Sequence, residues 1–216
     1  MARSTDATSD TVPSSAEILS GRSVQLRGSR WAAAVLRTLG WRIEFDGLPE
    51  RQGVLILYPH TSNWDFVFAM LARSAIGMPA KVWGKDSLFR VPLLGAWMRW
   101  LGVVPVLRNS PRGMVGEMVA HMTEARERDE FYWLALAPEG TRSQATGWRS
   151  GFYQVALHAN VPLALAYIDY ANRMLGVCAH IRLGGDVDAD LALIAEHLKA
   201  HHGKCPELAS PIRLNK

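Results

Sequence analysis

Short continuous apolar runs alternate with longer amphipathic stretches through most of the chain. From Ser29 onward, Trp31, Ala32, Val35, Leu36 and Leu39 recur at helical spacing, with Arg27, Arg30 and Arg37 on the other side and Gly40 as a stop. Residues 22–42 are therefore expected as an amphipathic basic helix, suited equally to packing on a core and to lying in a membrane surface. Residues 43–45 read as a short strand before the Asp46-Gly47 turn, and residues 54–58 as a buried strand of branched aliphatics. A helix over 63–75 follows, ended by Gly77 with Pro79 just beyond. Strands are expected at 80–83 and 103–107, separated by a loop and an apolar stretch, 92–101, that carries Trp97, Arg99 and Trp100. The helix at 113–128 has a stripe of Met114, Met118 and Met122, which we assign to the core. Then come a strand at 131–137, a helix at 152–158, strands at 161–170 and 174–183 joined by a turn at Ala171-Asn172-Arg173, and a helix at 190–201.

Strands alternating with helices predict a single α/β domain, its central sheet mostly parallel and flanked by helices on both faces, with an antiparallel pair near the end. Residues 43–204 form this core, residues 1–21 a disordered tail rich in Ser, Thr and Asp, and residues 205–216 a C-terminal tail. In such sheets, sites form beyond the carboxyl ends of strands. His60, Lys85, Arg108 and Glu139 each stand just after a predicted strand.

Charge sharpens this picture. The net charge is +4, and the excess is concentrated: residues 22–42 hold five arginines and no acid, and residues 81–112 hold six basic residues against Asp86 alone. Such clusters favour anions, phosphates and acidic headgroups among them. No nucleic-acid-binding signature accompanies them. Cys178 and Cys205 have no redox or metal-ligand spacing and point to a reducing compartment. No apolar run approaches the roughly 20 residues of a membrane span.

Chemistry concentrates in two phrases. Tyr58-Pro59-His60-Thr61-Ser62-Asn63-Trp64-Asp65 puts an imidazole and a carboxylate near each other. On one continuous helix residues five apart point about 140° apart, so the two meet only if His60 lies in the turn before the helix. Pro59 and the Ser62-Asn63 capping positions favour that break. Asp65 would then orient one ring nitrogen and leave the other to take a proton from a hydroxyl. Ser62-x-x-Asp65 is equally a capping box, which explains the aspartate without catalysis. In Pro138-Glu139-Gly140-Thr141-Arg142, glycine allows close backbone approach and Arg142 can grip a phosphate. The same phrase also reads as a strand-ending turn with a surface arginine. No nucleophile elbow and no phosphate-cradling nucleotide loop is present. His197, His201 and His202 read as a solvated histidine face.

Taken in order, His60-(four residues)-Asp65, Gly84-Lys85-x-x-Leu88 with Pro92 and Gly95, Gly102-x-Val104-x-x-x-Arg108, Pro138-Glu139-Gly140-Thr141-Arg142-Ser143 and Val161-Pro162 resemble the blocks of the glycerolipid acyltransferase family typified by lysophosphatidic acid acyltransferase. The resemblance implies a glycerol-3-phosphate acyltransferase-like fold. It also implies acyl transfer from an acyl-CoA or acyl-carrier-protein thioester to a hydroxyl of a glycerophosphate or lysophospholipid acceptor. In that picture His60 is the general base and Asp65 its orienting partner. Lys85, Arg108, Gly140, Thr141 and Arg142 hold the acceptor phosphate, and Glu139 completes that site. The acyl carrier is a co-substrate; no metal or resident cofactor is called for. The chain departs from the family at Leu165, where a second proline is common, and in offering only an Arg-rich helix where anchoring helices are frequent. Peripheral docking on the cytoplasmic face of a membrane is the expectation, with Trp31, Trp97 or Trp100 in contact. Two rival readings are a catalytically degenerate lipid-binding protein and a metal-dependent hydrolase using His60, Asp65 and Glu139.

Overall fold

A computed structural model describes residues 15–20, 24–84, 102–105 and 113–215. In chain order these residues form β1 (Glu17–Ile18), α1 (Arg30–Thr38), β2 (Arg42–Glu44), β3 (Gln52–Tyr58), α2 (Asn63–Ile76), β4 (Ala80–Gly84), β5 (Val103–Pro105), α3 (Gly113–Glu127), β6 (Tyr132–Leu136), α4 (Gly151–His158), β7 (Leu163–Asp169), β8 (Met174–Arg182) and α5 (Val187–Leu198), with a 3-10 turn at Pro206–Leu208.

β3 is central because it is apolar on both faces, as a strand covered on both sides must be. Val54, Ile56 and Tyr58 pack with Met122 of α3, Phe152 and Val155 of α4, and Leu191 and Ile194 of α5. Leu55 and Leu57 turn the other way, toward clusters that include Leu36 of α1 and Ala72 of α2. A sheet between two helical layers results. The described strands run in the order β1-β8-β7-β3-β6-β4-β5, with β2 also on β8. β3 pairs in parallel with β6 and β7, and β4 with β5 and β6. β7 and β8 are the expected antiparallel pair. The α/β architecture and the mostly parallel sheet thus agree with the hydrophobic pattern, and of the methionine stripe Met122 is fully buried and Met118 packs partly buried against the same core.

Three expectations need correction. The composition extends a disordered tail to residue 21, yet Glu17–Ile18 adds a strand to β8, whose edge has unpaired backbone groups to satisfy. The basic helix is shorter than 22–42: Ser29 caps it, its hydroxyl accepting from Ala32 N, and it ends at Thr38. Its apolar arc is only half buried. Ala32 and Leu36 face the core, while Trp31 is 70% and Leu39 50% exposed. The third correction concerns the expected tail at 205–216, whose described residues 205–215 pack on the core: Ser210 is fully buried, and Trp148 pairs with Leu214 as an isolated bridge.

Candidate active site

The sheet order builds the site. Ile56 of β3 pairs with Leu136 of β6, and Tyr58 of β3 pairs with Tyr167 of β7. A few residues past these partners, three neighbouring strand ends deliver His60, Glu139 and Tyr170 to one edge of the sheet, the edge where parallel α/β sheets hold their ligands.

After β3, Tyr58-Pro59 is a cis peptide, and His60 and Thr61 lie in the turn before Ser62, the N-cap of α2. Ser62 Oγ accepts from Trp64 N at 3.2 Å. Asp65, in the first turn of α2, closes the capping box from the other side. Its Oδ2 accepts from Ser62 N and Thr61 N, both at 2.8 Å, and lies 3.2 Å from His60 Nδ1. Its Oδ1 accepts from the Tyr170 hydroxyl at 2.7 Å. Asp65 is wholly buried, His60 partly so. Burial pushes the Asp65 carboxyl up, but the adjacent His60 imidazole and the hydrogen bonds from Tyr170 and Ser62 outweigh it and hold the group below the usual carboxylate range. Burial and this same hydrogen bond to Asp65 push the Tyr170 phenol well above its ordinary value. One carboxylate thus both completes the capping box of α2 and faces His60 Nδ1.

Glu139, past the end of β6, is also buried. Its Oε2 accepts from His60 N at 2.6 Å and its Oε1 from Ser210 N at 2.8 Å. Burial raises its carboxyl above the ordinary value, with the bonds from Ser210 and His60 pulling the other way. Glu139 therefore staples the His60 turn to the C-terminal segment. Ser210 is itself fixed: its carbonyl accepts from Tyr58 Oη and its Oγ from Ala145 N, both at 3.1 Å. Cys205 N donates to Thr61 Oγ1 at 3.2 Å.

Of the residues singled out from the sequence, His60, Asp65 and Glu139 come together. Gly140 (φ +66°) turns the chain away from Glu139, and a Cβ there would stand 2.5 Å from Arg149 Nε. Thr141 and Arg142 follow in an exposed loop, where Thr141 Oγ1 accepts from Ser143 N. Lys85 and Arg108, like Trp97 and Trp100, lie outside the described residues. Tyr170 and Ser210 were not foreseen. Of the three histidines expected on a solvated face, His202 is exposed, whereas His201 stacks on Tyr167 with centroids 3.7 Å apart, its Nδ1 3.6 Å from Asp169 Oδ2. Among the described residues no three His, Cys, Asp or Glu side chains are grouped to hold a metal. The oxygens of Asp65 and Glu139 are instead engaged by backbone N–H groups and Tyr170.

This arrangement can hold an imidazole by one nitrogen and leave the other to accept a proton, with no covalent nucleophile needed. A family model described as Acyltransferase matches residues 42–168, a span that contains His60, Asp65, Glu139, β3 to β6 and β7 up to Ile168. No curated protein matches the chain. Among solved structures, the 1-acyl-sn-glycerophosphate (LPA) acyltransferase PlsC from Thermotoga maritima is similar, with a TM-score of 0.52 at 16% identity over 79% of this chain and 75% of that one. At that identity the likeness is one of fold.

Proposed function

Since the chain belongs to the acyltransferase family, we propose that His60 is the general base of an acyl transfer from a thioester, acyl-CoA or acyl-carrier protein, to a hydroxyl of a glycerophosphate-type or lysophospholipid acceptor. The observation that carries this reading is the contact of His60 Nδ1 with a buried Asp65 carboxylate that is itself tied down by two backbone N–H groups and Tyr170. As the acceptor oxygen attacks the thioester carbonyl, the C–O bond forms, the C–S bond breaks, and the hydroxyl proton passes to His60 Nε2 and on to the departing thiolate. Asp65 favours the imidazolium that forms meanwhile. Lys85, Arg108, Gly140, Thr141 and Arg142 would bind the acceptor phosphate, and the exposed Arg142 is a guanidinium free to do so. Glu139 would serve the site through the backbone of His60. On this reading the exposed Trp31 and the exposed Arg30 and Arg37 of α1 would dock the chain peripherally on an anionic membrane face, the cytoplasmic one.

Replacement of His60 by Ala is expected to abolish acyl transfer while leaving the circular dichroism spectrum and melting temperature near those of the parent chain. Turnover retained by the purified variant would overturn the base assignment. The metal-dependent hydrolase reading fares worse because the carboxylate oxygens it would need already accept hydrogen bonds from the backbone.

A further inference from the structure

Beside α2 lies an open cavity of about 380 Å³ that the catalytic reading does not use. Sites for small molecules occupy about 300–1,000 Å³. Four rings wall it. Trp41 and Phe68 have centroids 4.4 Å apart, Tyr170 stands edge-on to Trp41 at 5.1 Å, and Trp64 is 6.4 Å from Phe68. At the mouth, Leu39 and Trp64 are 50% and 54% exposed, so apolar surface stands uncovered against the hydrophobic effect.

The charged side chains that line it are both basic, with the buried Asp65 carboxylate behind Tyr170. Its remaining lining residues are Arg173 and Lys204, and neither pairs with a carboxylate among the described residues. Lys204 Nζ stands 5.6 Å over the Trp64 ring. The Arg173 guanidinium lies against Gly40, where a Cβ would come within 3.0 Å of it, so residue 40 has room for the arginine because it has no side chain. An aromatic cage alone would suit a cation. Two positive charges at its rim turn it against cations and toward an anion, while the rings favour hydrocarbon.

From this complementarity we infer that the groove binds a single hydrocarbon chain with an anionic head, the chain lying across Trp41, Trp64, Phe68 and Tyr170 and the head between Arg173 and Lys204. Tyr170 joins the groove to the site, since its ring forms one wall and its hydroxyl donates to Asp65. On the reading of His60 and Asp65 as the acyl-transfer centre, the amphiphile sits one side chain away from that pair, against the ring of the tyrosine whose hydroxyl holds Asp65.

The test is calorimetric titration of the full chain with dodecyl phosphate below its micelle-forming concentration, set against inorganic phosphate, dodecyl maltoside and phosphatidylglycerol vesicles. Dodecyl phosphate is expected to bind at least about tenfold tighter than inorganic phosphate or the neutral glycoside, and Trp64→Ala and Lys204→Glu, both at exposed positions, each to weaken it about tenfold. Unchanged affinity in both variants, equal binding of the neutral glycoside, or binding to vesicles alone would overturn the groove. His60→Ala must bind dodecyl phosphate as the parent chain does. If that variant keeps its turnover while the titrations behave as expected, the acyl-transfer reading fails and the groove stands; the opposite pattern removes the groove alone.

Discussion

At the scale of single residues, the most constrained group in the site is the Asp65 carboxylate. It has no exposure to solvent, and four groups approach its two oxygens. Tyr170 is the sole partner of Oδ1 among the hydrogen bonds of the described residues. Tyr170→Phe keeps the ring and removes only that donor, leaving a buried oxygen unsatisfied at a cost of about 1.5–3 kcal/mol for a bond to a charged acceptor. The sign of the pH effect follows from the direction of the shift. Because the folded-state carboxyl lies below its unfolded value, its stabilisation is complete above the unfolded pKa, about 4, and is lost as pH falls through the folded value. With the tyrosine hydroxyl gone the folded value rises, so acid unfolding should begin at higher pH, together with a lower kcat at neutral pH. Coincident acid-unfolding curves for the two proteins would show that Tyr170 does not hold Asp65. Glu139 is the contrasting case. Its raised carboxyl means that ionisation costs stability above the unfolded pKa, so its worth lies in joining two backbone segments.

At the scale of elements, the start of α2 does two jobs with one motif. The capping box fixes the helix N-terminus, and the same aspartate faces His60. These jobs separate by mutation, because Asp65 is gripped by the main chain of residues 61 and 62 whereas Trp64 N depends on the Ser62 hydroxyl. Ser62→Ala should therefore cost about 1 kcal/mol, read as a melting temperature lower by about 2–4 °C, with kcat unchanged. A collapse of kcat at constant melting temperature would mean that the hydroxyl itself takes part in the reaction. This motif also shows what was legible before the structure. His60, Ser62 and Asp65 lie within one turn of chain, so spacing and capping rules suffice to place them, and Glu139 follows an apolar run whose strand character is local. Tyr170 stands 105 residues from Asp65, and Ser210 stands 71 residues from Glu139. Finding them needs the order β6-β3-β7 and the path of the chain's last residues, which periodicity along the sequence does not contain. The half-exposed arc of α1 was hidden for a similar reason: a helical stripe tells which residues share a face, not how much of that face another element covers.

For the whole molecule, the chain's last residues close the site from outside the sheet. Reading residues 205–216 as a tail was reasonable on their polar, proline-containing composition, but composition does not reveal hydrogen bonds made to distant strands. Bonds from this segment near the site are Cys205 N to Thr61 Oγ1, Ser210 N to Glu139 Oε1, Ala145 N to Ser210 Oγ, and Tyr58 Oη to the Ser210 carbonyl, and Arg213 and Asn215 bond further to residues 146–148. At about 0.5–1.5 kcal/mol each, their joint loss is comparable with the margin by which a domain stays folded. A chain ending at Lys204 should melt well below the parent. At temperatures where it remains folded it should still turn over slowly, because Glu139 then keeps one oxygen on His60 N and loses the N–H that anchors the other. Ser210→Ala gives the discriminating comparison. It retains the backbone N–H to Glu139 and gives up the bond from Ala145 N and the hydroxyl's own bond toward Glu139, so it should lose about 1–3 kcal/mol of stability and keep near-parental kcat. If Ser210→Ala and the truncated chain, each assayed below its own melting temperature, lose activity equally, the link through Glu139 is not what the segment contributes. A truncated chain with full turnover would remove the segment from the site altogether.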